Sequence, residues 1–487
     1  MASLGLMIRR TALYSLGIIA ARLGSLITLP IVTRVLSPAD YGVIELISTS
    51  YWVAEVLLGG SFAEALPFFY VKAQQDAKSQ VGVLRTAASG GMLLGLGGML
   101  AGLLASPLLS ELVFRSPAYS QHFQITFLGF SGSLTYSALI NYLRIEDRAQ
   151  AITILGLARL VLNVVLCILL VKVWPLKEIG VLLSGSLTSV VCGLGAIGYL
   201  IKRHGLGFSW SEFRQQFSYA LPLSLSGLMM IAIHFGDRFF LQRSTNLNDI
   251  GLYSFAYKLG MMVSIAHGPF LFYWQGQMFH EAQSSDGQRM TARVLTGVTL
   301  GLTLAGVGIC LFAQPLIAVL APASYAGAAL LAPGIVLAYI LRGMTDQLRG
   351  VFNTSAKTWE QSSVSLVGAV VSLSLYAALI PLYGSMGAVV ATLCSFLIML
   401  LFSIWRVHVV APHDWEWKKI ALIMSLGGVV VAAFWVAMPT GLVLQIAWGS
   451  FGLILFIAAI LVSPVLDNHE KQRLRQMAER SLSWKRM

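Results

Sequence analysis

Charged side chains interrupt several of the long apolar stretches of this sequence. Arg22, Glu55, Asp237, Arg238 and Lys258 each lie within a run of mostly hydrophobic residues. A charge at the centre of a bilayer costs about 2.5–3.5 kcal/mol on insertion scales, so it usually faces a partner or a water-filled cavity. Basic side chains in such a cavity would recognise an anionic group, and acids could hold those bases in place or bind a coupled cation.

Arg22 and Glu55 are predicted to lie deepest in the membrane. Arg22 is about eleven residues from each end of its apolar run, roughly 16 Å at 1.5 Å per residue, so its guanidinium cannot easily reach a surface. Glu55 lies at a similar distance from the loop that joins the two runs, and the side chains could pair. Two interpretations stay open: a structural ion pair, or an Arg22 that binds an anionic substrate while Glu55 holds it in place.

A second set of charges consists of Asp237, Arg238 and Lys258. Asp237 lies shortly before the end of one apolar run and Lys258 shortly after the start of the next, so both are predicted in the outer third of the membrane, where they could meet. We interpret Lys258 and Arg22 as lining a cationic cavity from opposite sides, with Arg238 as a further basic residue. The alternative for Lys258 is a side chain that extends outward to lipid headgroups.

Arg342 and Asp346 are four residues apart on one predicted helix and can therefore pair on one face. We favour a structural pair, or a latch between two halves of the molecule. Glu55, Asp237 and Asp346 are the intramembrane acids that could support the basic residues or bind a coupled cation.

No pattern typical of an enzyme or a metalloprotein occurs in the sequence. P-loop, HExxH and GxSxG motifs are absent. A GxGxxG match beginning at Gly193 lies inside an apolar run with no strand before it, where close helix packing explains the glycines better. The four cysteines lie singly in apolar runs, which predicts neither a disulfide framework nor a zinc site. We therefore expect no catalytic residues, no cofactor and no bound metal.

Transmembrane helices must position these charges. Of the 487 residues, 57% are hydrophobic and 11% are charged, against roughly 25% charged residues in a soluble domain. The sequence therefore predicts an all-α membrane protein. Apolar runs of about 20 residues, the length that a spanning helix needs, number about fourteen. The predicted spans fall near 11–33, 41–67, 86–114, 123–143, 151–173, 179–201, 218–241, 251–275, 294–320, 329–347, 362–381, 385–405, 420–438 and 442–463.

Lysine and arginine predict the orientation of these spans. Most of the 33 basic residues fall in gaps on one side of the spans and in the tail, and cytoplasmic loops are the ones enriched in Lys and Arg. Both termini are therefore predicted to be cytoplasmic, which requires an even number of spans. The same distribution accounts for the net charge of +12 without nucleic-acid binding, which we do not expect.

An internal repeat divides the predicted spans. The segment RVLSPADYG at 34–42 recurs 209 residues later as RSTNLNDIG at 243–251, and each copy has a capping residue, Ser37 or Asn246, three positions before an acid. Because six spans separate the copies, the two halves should share one orientation and be related by a pseudo-twofold axis along the membrane normal. We predict an N-lobe at 1–210 with spans 1–6, a C-lobe at 211–410 with spans 7–12, spans 13–14 at 411–465, and a basic cytoplasmic tail at 466–487.

Three segments carry a resemblance to a known family: TLPIVTRVLSPADYGVIELIS near the start, DRFFLQ followed by DIGLYSFAYKLG in the middle, and LIPLYGSMGAVVAT at 379–392. They resemble the polysaccharide repeat-unit (O-antigen, Wzx-type) flippases of the multidrug/oligosaccharidyl-lipid/polysaccharide (MOP) superfamily. The resemblance covers essentially the whole chain. It implies two six-helix lobes around a central cavity, alternating access, and an undecaprenyl-pyrophosphate-linked oligosaccharide carried from the cytoplasmic to the periplasmic leaflet of a bacterial inner membrane.

On this interpretation, Arg22, Lys258 and Arg238 bind the pyrophosphate or an acidic sugar. The expected partners are the lipid-linked substrate and membrane lipids, with a polysaccharide polymerase and a chain-length regulator as candidates, and we expect a monomer.

Three alternatives stay open: a lipid II flippase, a drug/cation antiporter of the same superfamily, and a membrane-bound polysaccharide polymerase or ligase. Antiporters of the superfamily typically have twelve helices, so spans 13 and 14 argue against that alternative. A polymerase tends to need a long outer loop for its catalytic residues, whereas the longest predicted outer gap is about nine residues.

Overall fold

The computed structural model describes residues 27–73, 76–281, 287–355, 357–412, 414–467 and 471–472. Within these ranges the chain forms helices joined by short connections and contains no β-strand, which confirms the all-α prediction there. The α-helices are α1 (Pro38–Glu55), α2 (Phe62–Lys72), α3 (Ala77–Phe114), α4 (Ser120–Leu128), α5 (Phe130–Ile145), α6 (Ala149–Cys167), α7 (Lys177–His204), α8 (Trp210–Phe235), α9 (Asp237–Ser244), α10 (Leu247–Met261), α11 (Val263–Glu281), α12 (Gly287–Leu311), α13 (Ala313–Leu320), α14 (Ala328–Thr354), α15 (Thr358–Val410), α16 (Trp417–Val436) and α17 (Leu442–Val462). Two π-helical segments, Val56–Gly60 and Ile168–Val173, extend α1 and α6.

Ten helical stretches in the described part of the chain are long and apolar enough to cross a membrane. One of them, Trp359–Val410, contains both predicted spans 11 and 12. Gly384, with φ +56°, interrupts the helical backbone between these two spans. Predicted spans 4 and 8 occur as pairs of shorter helices, α4 with α5 and α10 with α11. Most of predicted span 1 lies outside the described residues.

The two copies of the predicted repeat begin their helices in the same way. At the start of α1, the Ser37 hydroxyl accepts from the backbone N–H of Asp40 at 3.2 Å, and the Asp40 carboxylate accepts from the N–H of Ser37 at 3.0 Å. At the start of α10, Asn246 Oδ1 accepts from the N–H of Asp249 at 2.9 Å. Each cap satisfies a backbone donor that the first helical turn leaves open.

The repeated glycines lie where α1 and α10 cross. A Cβ on Gly42 would lie 2.3 Å from the carbonyl oxygen of Leu247, and a Cβ on Gly251 would lie 1.8 Å from that of Pro38. Leu247 and Gly251 follow Pro38 and Gly42 by the same 209 residues, so each contact is the repeat-related copy of the other. Only glycine permits so close an approach, and such reciprocal contacts are typical of a twofold relation.

Packing divides the described chain into two compact units that are discontinuous in sequence. The first contains the chain up to Phe255 together with Leu320–Gly327 and Ser362–Ser395, and the second contains Ala256–Val319, Ala328–Gln361 and the chain from Phe396 onward. The division at residues 210 and 410 follows chain order instead and remains a prediction.

Each unit has its own apolar core. In the first, Leu84 and Tyr142 are almost completely buried in a cluster that joins α2, α3, α5 and α7. In the second, Leu311, Phe434 and Phe456 pack α12 against α16 and α17. The helices of predicted spans 13 and 14 are therefore packed into the second unit through α12.

Candidate functional site

Among the described residues, the most deeply buried charges form an ion cluster in the first unit. Arg238 Nη1 lies 2.8 Å from Asp237 Oδ1, and Arg238 Nε lies 3.5 Å from Glu45 Oε2. The three residues are 1%, 0% and 6% exposed. Arg238 Nη1 also donates to the carbonyl oxygen of His234 at 3.2 Å. With all three groups ionised, this Arg238 cluster has two negative charges to one positive charge.

Two tyrosines enclose Asp237 from the other side. The Tyr253 hydroxyl donates to Asp237 Oδ2 at 2.5 Å and lies 3.3 Å from Thr392 Oγ1. The Tyr376 hydroxyl donates to the carbonyl oxygen of Ile233 at 2.9 Å and lies 3.4 Å from the same Thr392 oxygen. The tyrosines and Thr392 are fully buried. Asp237 is thus held in a hydrogen-bonded polar core, as a buried charge requires.

Three helices position the Arg238 cluster. A one-residue interruption at Gly236, whose backbone stays right-handed helical, separates α8 from α9, and Asp237 and Arg238 follow it directly. Glu45 comes from α1 and Tyr253 from α10, the two helices joined at the glycine crossing. The crossing therefore helps to set the distance between Glu45 and the rest of the cluster.

Sequence reasoning singled out Asp237 and Arg238 but missed Glu45. In this conformation Arg238 lies in a closed cluster beside two acids, and its assignment as a substrate-binding residue remains a prediction. The signal that could have identified Glu45 is the same one that identified the others, a charge within an apolar run, here GVIELIS. Glu45 lies only about two turns after the Ser37 cap, where an acid can also lie near the membrane surface.

Glu55 belongs to a separate polar group in the first unit. Its Oε1 accepts a hydrogen bond from the Ser133 hydroxyl at 2.6 Å, and the guanidinium of Arg159 is a positive charge that acts on it. Glu55 is the last residue of α1 and is followed by a π-helical turn in which Gly59 has φ +124°. Single π-turns of this kind often occur at functional sites. The side chain therefore lies beside a local distortion of a membrane helix.

Of the two basic residues expected to line a cavity, the structure describes Lys258 but not Arg22. Arg22 lies outside the described residues, so its pairing with Glu55 and its contact with substrate remain predictions. Lys258 lies on α10 and belongs to the second compact unit. Its side chain is half-buried, whereas its neighbours Tyr257 and Leu259 are fully buried. Substrate binding by Lys258 also remains a prediction.

Three charged residues of α14 approach one another in the second unit. Arg342 Nε lies 3.4 Å from Asp346 Oδ2, and Arg349 Nη1 lies 3.9 Å from Asp346 Oδ1. All three are half-buried. Arg349 was not singled out from the sequence, because it lies near the end of a predicted span, where basic residues are common. The group has two positive charges to one negative charge, the opposite balance to that of the Arg238 cluster.

Metal ligands do not explain these polar groups. Across the described ranges, no set of three or more His, Cys, Asp and Glu side chains could hold a metal ion. Cys167, Cys192, Cys310 and Cys394 are free thiols. Ion pairs and hydrogen bonds hold the charged side chains instead.

A family comparison identifies the class of the protein. The sequence profile described as "Polysaccharide biosynthesis protein" matches residues 7–272, more than half of the chain. The chain belongs to this family. A comparison with curated protein sequences gave no significant match.

Solved structures of membrane transporters share the fold. The lipid II flippase MurJ in an inward closed conformation is similar with a TM-score of 0.73 and 14% identity, covering 92% of this chain and 98% of that one. An inward-facing multidrug resistance MATE family transporter of the MOP superfamily has a TM-score of 0.65 at 14% identity, covering 82% and 95%. An outward-facing MATE family transporter has a TM-score of 0.59 at 14% identity, covering 83% and 95%.

These comparisons confirm the predicted class. The protein is a multi-pass membrane protein with the two-lobe fold of the MOP superfamily. The solved structures that share this fold are a lipid II flippase and multidrug transporters. The resemblance seen in the sequence is confirmed at the level of family and superfamily.

Proposed function

We propose that the protein is a flippase that moves undecaprenyl-pyrophosphate-linked oligosaccharide repeat units from the cytoplasmic to the periplasmic leaflet by alternating access. The observation that carries the proposal is the match to the polysaccharide biosynthesis family on a fold that a lipid II flippase shares over 92% of this chain. The fold supports transport of a lipid, and the family supports a sugar as its cargo.

The lipid tail would stay in the bilayer while the sugar and its pyrophosphate cross through the protein. Arg22 and Lys258 are the proposed contacts to the pyrophosphate or to an acidic sugar, since buried basic residues favour anions. Arg238 has Asp237 and Glu45 beside it in this conformation. We therefore assign Arg238 a substrate contact only in a state of the cycle in which that cluster opens.

Acids inside the membrane are the proposed coupling residues. Glu55, Asp237 and Asp346 would bind the coupled cation or hold the basic residues in place. The Arg238 cluster supports this role, because an excess buried negative charge is costly and binding of a cation would balance it. Glu55 supports it through its position beside the π-helical turn, where a change of charge can alter the helix.

The proposal includes the setting of the protein. It would act in a bacterial inner membrane as a monomer with both termini in the cytoplasm, since most basic residues of the loops and tail fall on that side of the predicted spans. Its partners would be the lipid-linked oligosaccharide, membrane lipids, a polysaccharide polymerase and a chain-length regulator.

Deletion of the gene tests the proposal. We expect lipid-linked repeat units to accumulate on the inner leaflet and surface polysaccharide to disappear. In the complemented strain, Arg22→Ala and Lys258→Ala should each reduce export at normal protein levels, whereas the exposed Arg243→Ala should not. Normal export by both variants would contradict the assigned binding residues. Accumulation on the outer leaflet would indicate a polymerase or ligase instead of a flippase.

A lipid II flippase is the second candidate, favoured by the MurJ structure, which covers more of the chain than the MATE structures do. Expression in cells depleted of their own lipid II flippase tests it. Restored growth would favour lipid II as the substrate, and continued lysis with intact polysaccharide export would favour the repeat unit. The MATE structures leave about a sixth of the chain unmatched, which disfavours a drug/cation antiporter.

A further inference from the structure

One face of α14 is polar and accessible within an otherwise buried stretch of helix. Between residues 338 and 352, every residue is buried except Arg342, Asp346 and Arg349. Their side chains are 19%, 24% and 15% exposed. Asn353 is also accessible and continues the same line toward the end of the helix. We call these four residues the arginine stripe.

The spacing of the arginine stripe places it on one side of α14. Steps of four, three and four residues keep side chains on the same helix face. The stripe runs for about 16 Å along the helix, roughly half the thickness of the hydrocarbon core. It therefore extends deep into the membrane and is not confined to the interface.

A face turned toward lipid has a different composition. On α17, the most exposed side chains are apolar, including Val443 at 79%, Ile454 at 63% and Val462 at 85%. Arginine and aspartate in that situation would be strongly unfavourable. The partial exposure and polar composition of the arginine stripe therefore indicate contact with water or polar groups and not with lipid tails.

Asp346 approaches both arginines but binds neither tightly. The distances of 3.4 Å to Arg342 Nε and 3.9 Å to Arg349 Nη1 are longer than the 2.7–3.2 Å of an ordinary N–H···O bond. The next acid along the chain, Glu360, accepts a hydrogen bond at 2.7 Å from Arg406 Nε. Asp346 is therefore the acid that Arg342 and Arg349 share, whereas Glu360 is bonded to Arg406.

Both guanidinium groups converge on one small space, because each lies within 4 Å of the same carboxylate. Arg349 is steadied by a hydrogen bond from its Nη2 to the carbonyl oxygen of Gln361 at 3.4 Å. Guanidinium groups present planar sets of N–H donors that match the oxygens of phosphate. The space is suited to one phosphate or a diphosphate, with Asp346 occupying it when no phosphate is bound.

We propose that Arg342 and Arg349 bind a phosphate group of a membrane lipid and that this group displaces Asp346. The identity of the lipid rests on the proposed function: the ligand is the pyrophosphate of the polyprenyl carrier. An anionic phospholipid offers the same phosphate chemistry, but a pyrophosphate carries more charge and more oxygens for two guanidinium groups.

Binding to the full chain in nanodiscs of zwitterionic phosphatidylcholine tests the site. We expect undecaprenyl pyrophosphate to bind at least tenfold more tightly than undecaprenol, and R342A/R349A to lose tenfold or more of that affinity, because charge-assisted hydrogen bonds are lost. R342K/R349K should keep part of it, since the charge remains. The control Arg243→Ala, an exposed arginine of α9, should bind as the wild type does. Equal binding by R342A/R349A and wild type would overturn the proposal.

Nanodiscs that contain phosphatidylglycerol distinguish the two sources of phosphate. Undiminished binding of undecaprenyl pyrophosphate in these nanodiscs supports the polyprenyl carrier as the ligand. If phosphatidylglycerol binds in an arginine-dependent way and displaces undecaprenyl pyrophosphate, the phosphate site stands and the assignment to the carrier is overturned.

A cysteine at Asn353 reports on the accessibility of the arginine stripe independently of binding. In a background with the four native cysteines replaced, an anionic methanethiosulfonate reagent should modify Asn353→Cys faster than a cationic one, because the arginines attract it. R342A/R349A should reverse this preference. A cysteine that neither reagent modifies would show that the stripe is sealed and would overturn the proposal.

Export assays separate the failure of this inference from that of the proposed function. Normal export and normal binding by R342A/R349A would remove the phosphate site and leave the flippase proposal intact. The converse result is binding of undecaprenyl pyrophosphate that depends on Arg342 and Arg349, together with unchanged polysaccharide export after deletion of the gene. That result would keep the phosphate site and remove the flippase proposal.

Discussion

The Arg238 cluster and the arginine stripe place the same side chain inside a membrane protein in opposite ways. Arg238 is 1% exposed and lies beside two acids. Arg342 and Arg349 lie on an accessible face and share one acid, which approaches them at longer distances. The first group joins two acids to one base and is almost fully buried, whereas the second joins two bases to one acid and is partly accessible.

The difference teaches how to interpret a charge within an apolar run. The energetic cost of burial requires a polar surrounding in both cases, so the run alone cannot separate them. Accessibility separates them in this conformation: the closed group holds helices together, and the partly exposed group can bind a ligand. The predictions below compare the two groups directly.

Removal of Arg238 should have the largest effect on stability. Arg238→Met leaves Asp237 and Glu45 buried without their guanidinium, which lowers the free energy of unfolding by about 3–5 kcal/mol. Arg342→Met, on the accessible face, should change it by less than about 1 kcal/mol. Thermal unfolding in detergent measures both. Addition of Asp237→Asn and Glu45→Gln to Arg238→Met should restore part of the loss, and a larger loss for Arg342→Met would contradict the comparison.

Gly251→Ala should disturb the Arg238 cluster from a distance. The new Cβ would lie 1.8 Å from the backbone oxygen of Pro38, so α1 and α10 must move apart and carry Glu45 away from Arg238. We expect a loss of about 1–3 kcal/mol, as for other overpacked sites. The matched control is Gly428→Ala, where no atom lies within 4 Å of the added Cβ. Equal stability of the two variants would show that the glycine crossing is not tight.

Patterns local in sequence predicted much of this architecture. Apolar length identified the spans, and the caps at Ser37 and Asn246 identified the repeat, because both depend on residues close along the chain. The crossing of Gly42 with Gly251 needed the tertiary structure, since a glycine in a membrane helix has several explanations. The interruption at Gly236, which separates α8 from α9 just before Asp237 and Arg238, has no marked local signal.

The sites were less predictable than the spans. Glu45 was overlooked because its depth depends on how α1 packs, and the arginine stripe because accessibility is a property of neighbouring helices and not of spacing. The pattern alone paired Arg342 with Asp346 and could not show that Arg349 shares the same carboxylate. Spacing indicates which charged residues can be neighbours on one helix, but it does not indicate how exposed their side chains are.

Glu55→Gln tests whether the half-buried carboxylate of Glu55 couples transport to the proton gradient. Glu55 is half-buried and accepts a hydrogen bond from Ser133, which the amide oxygen of glutamine can also accept. We expect normal protein levels and a change of stability below about 1 kcal/mol, but a transport rate that no longer responds to the proton gradient. Ser133→Ala is the control for the hydrogen bond alone and should keep that response. An unchanged response in Glu55→Gln would remove Glu55 from the coupling acids.

Asp467 should show the smallest effect, because it is exposed and follows the last membrane helix. Lys419 Nζ lies 3.1 Å from Asp467 Oδ1, and this hydrogen bond and charge lower the pKa of Asp467. Because its pKa is lower when folded, the contribution of Asp467 is present above the unfolded pKa and is lost as the pH falls through the folded one. Asp467→Asn should therefore cost less than about 1 kcal/mol near neutral pH. Unfolding curves of the variant and the wild type should begin to converge below about pH 4 and coincide only below the folded pKa of Asp467. Lys419 also lies 3.0 Å from Glu416, so it keeps one acidic partner in the variant. A loss of stability above about 1 kcal/mol, or a difference between the variant and the wild type that grows in acid, would mean that the Asp467 carboxylate is enclosed, as the acids of the Arg238 cluster are.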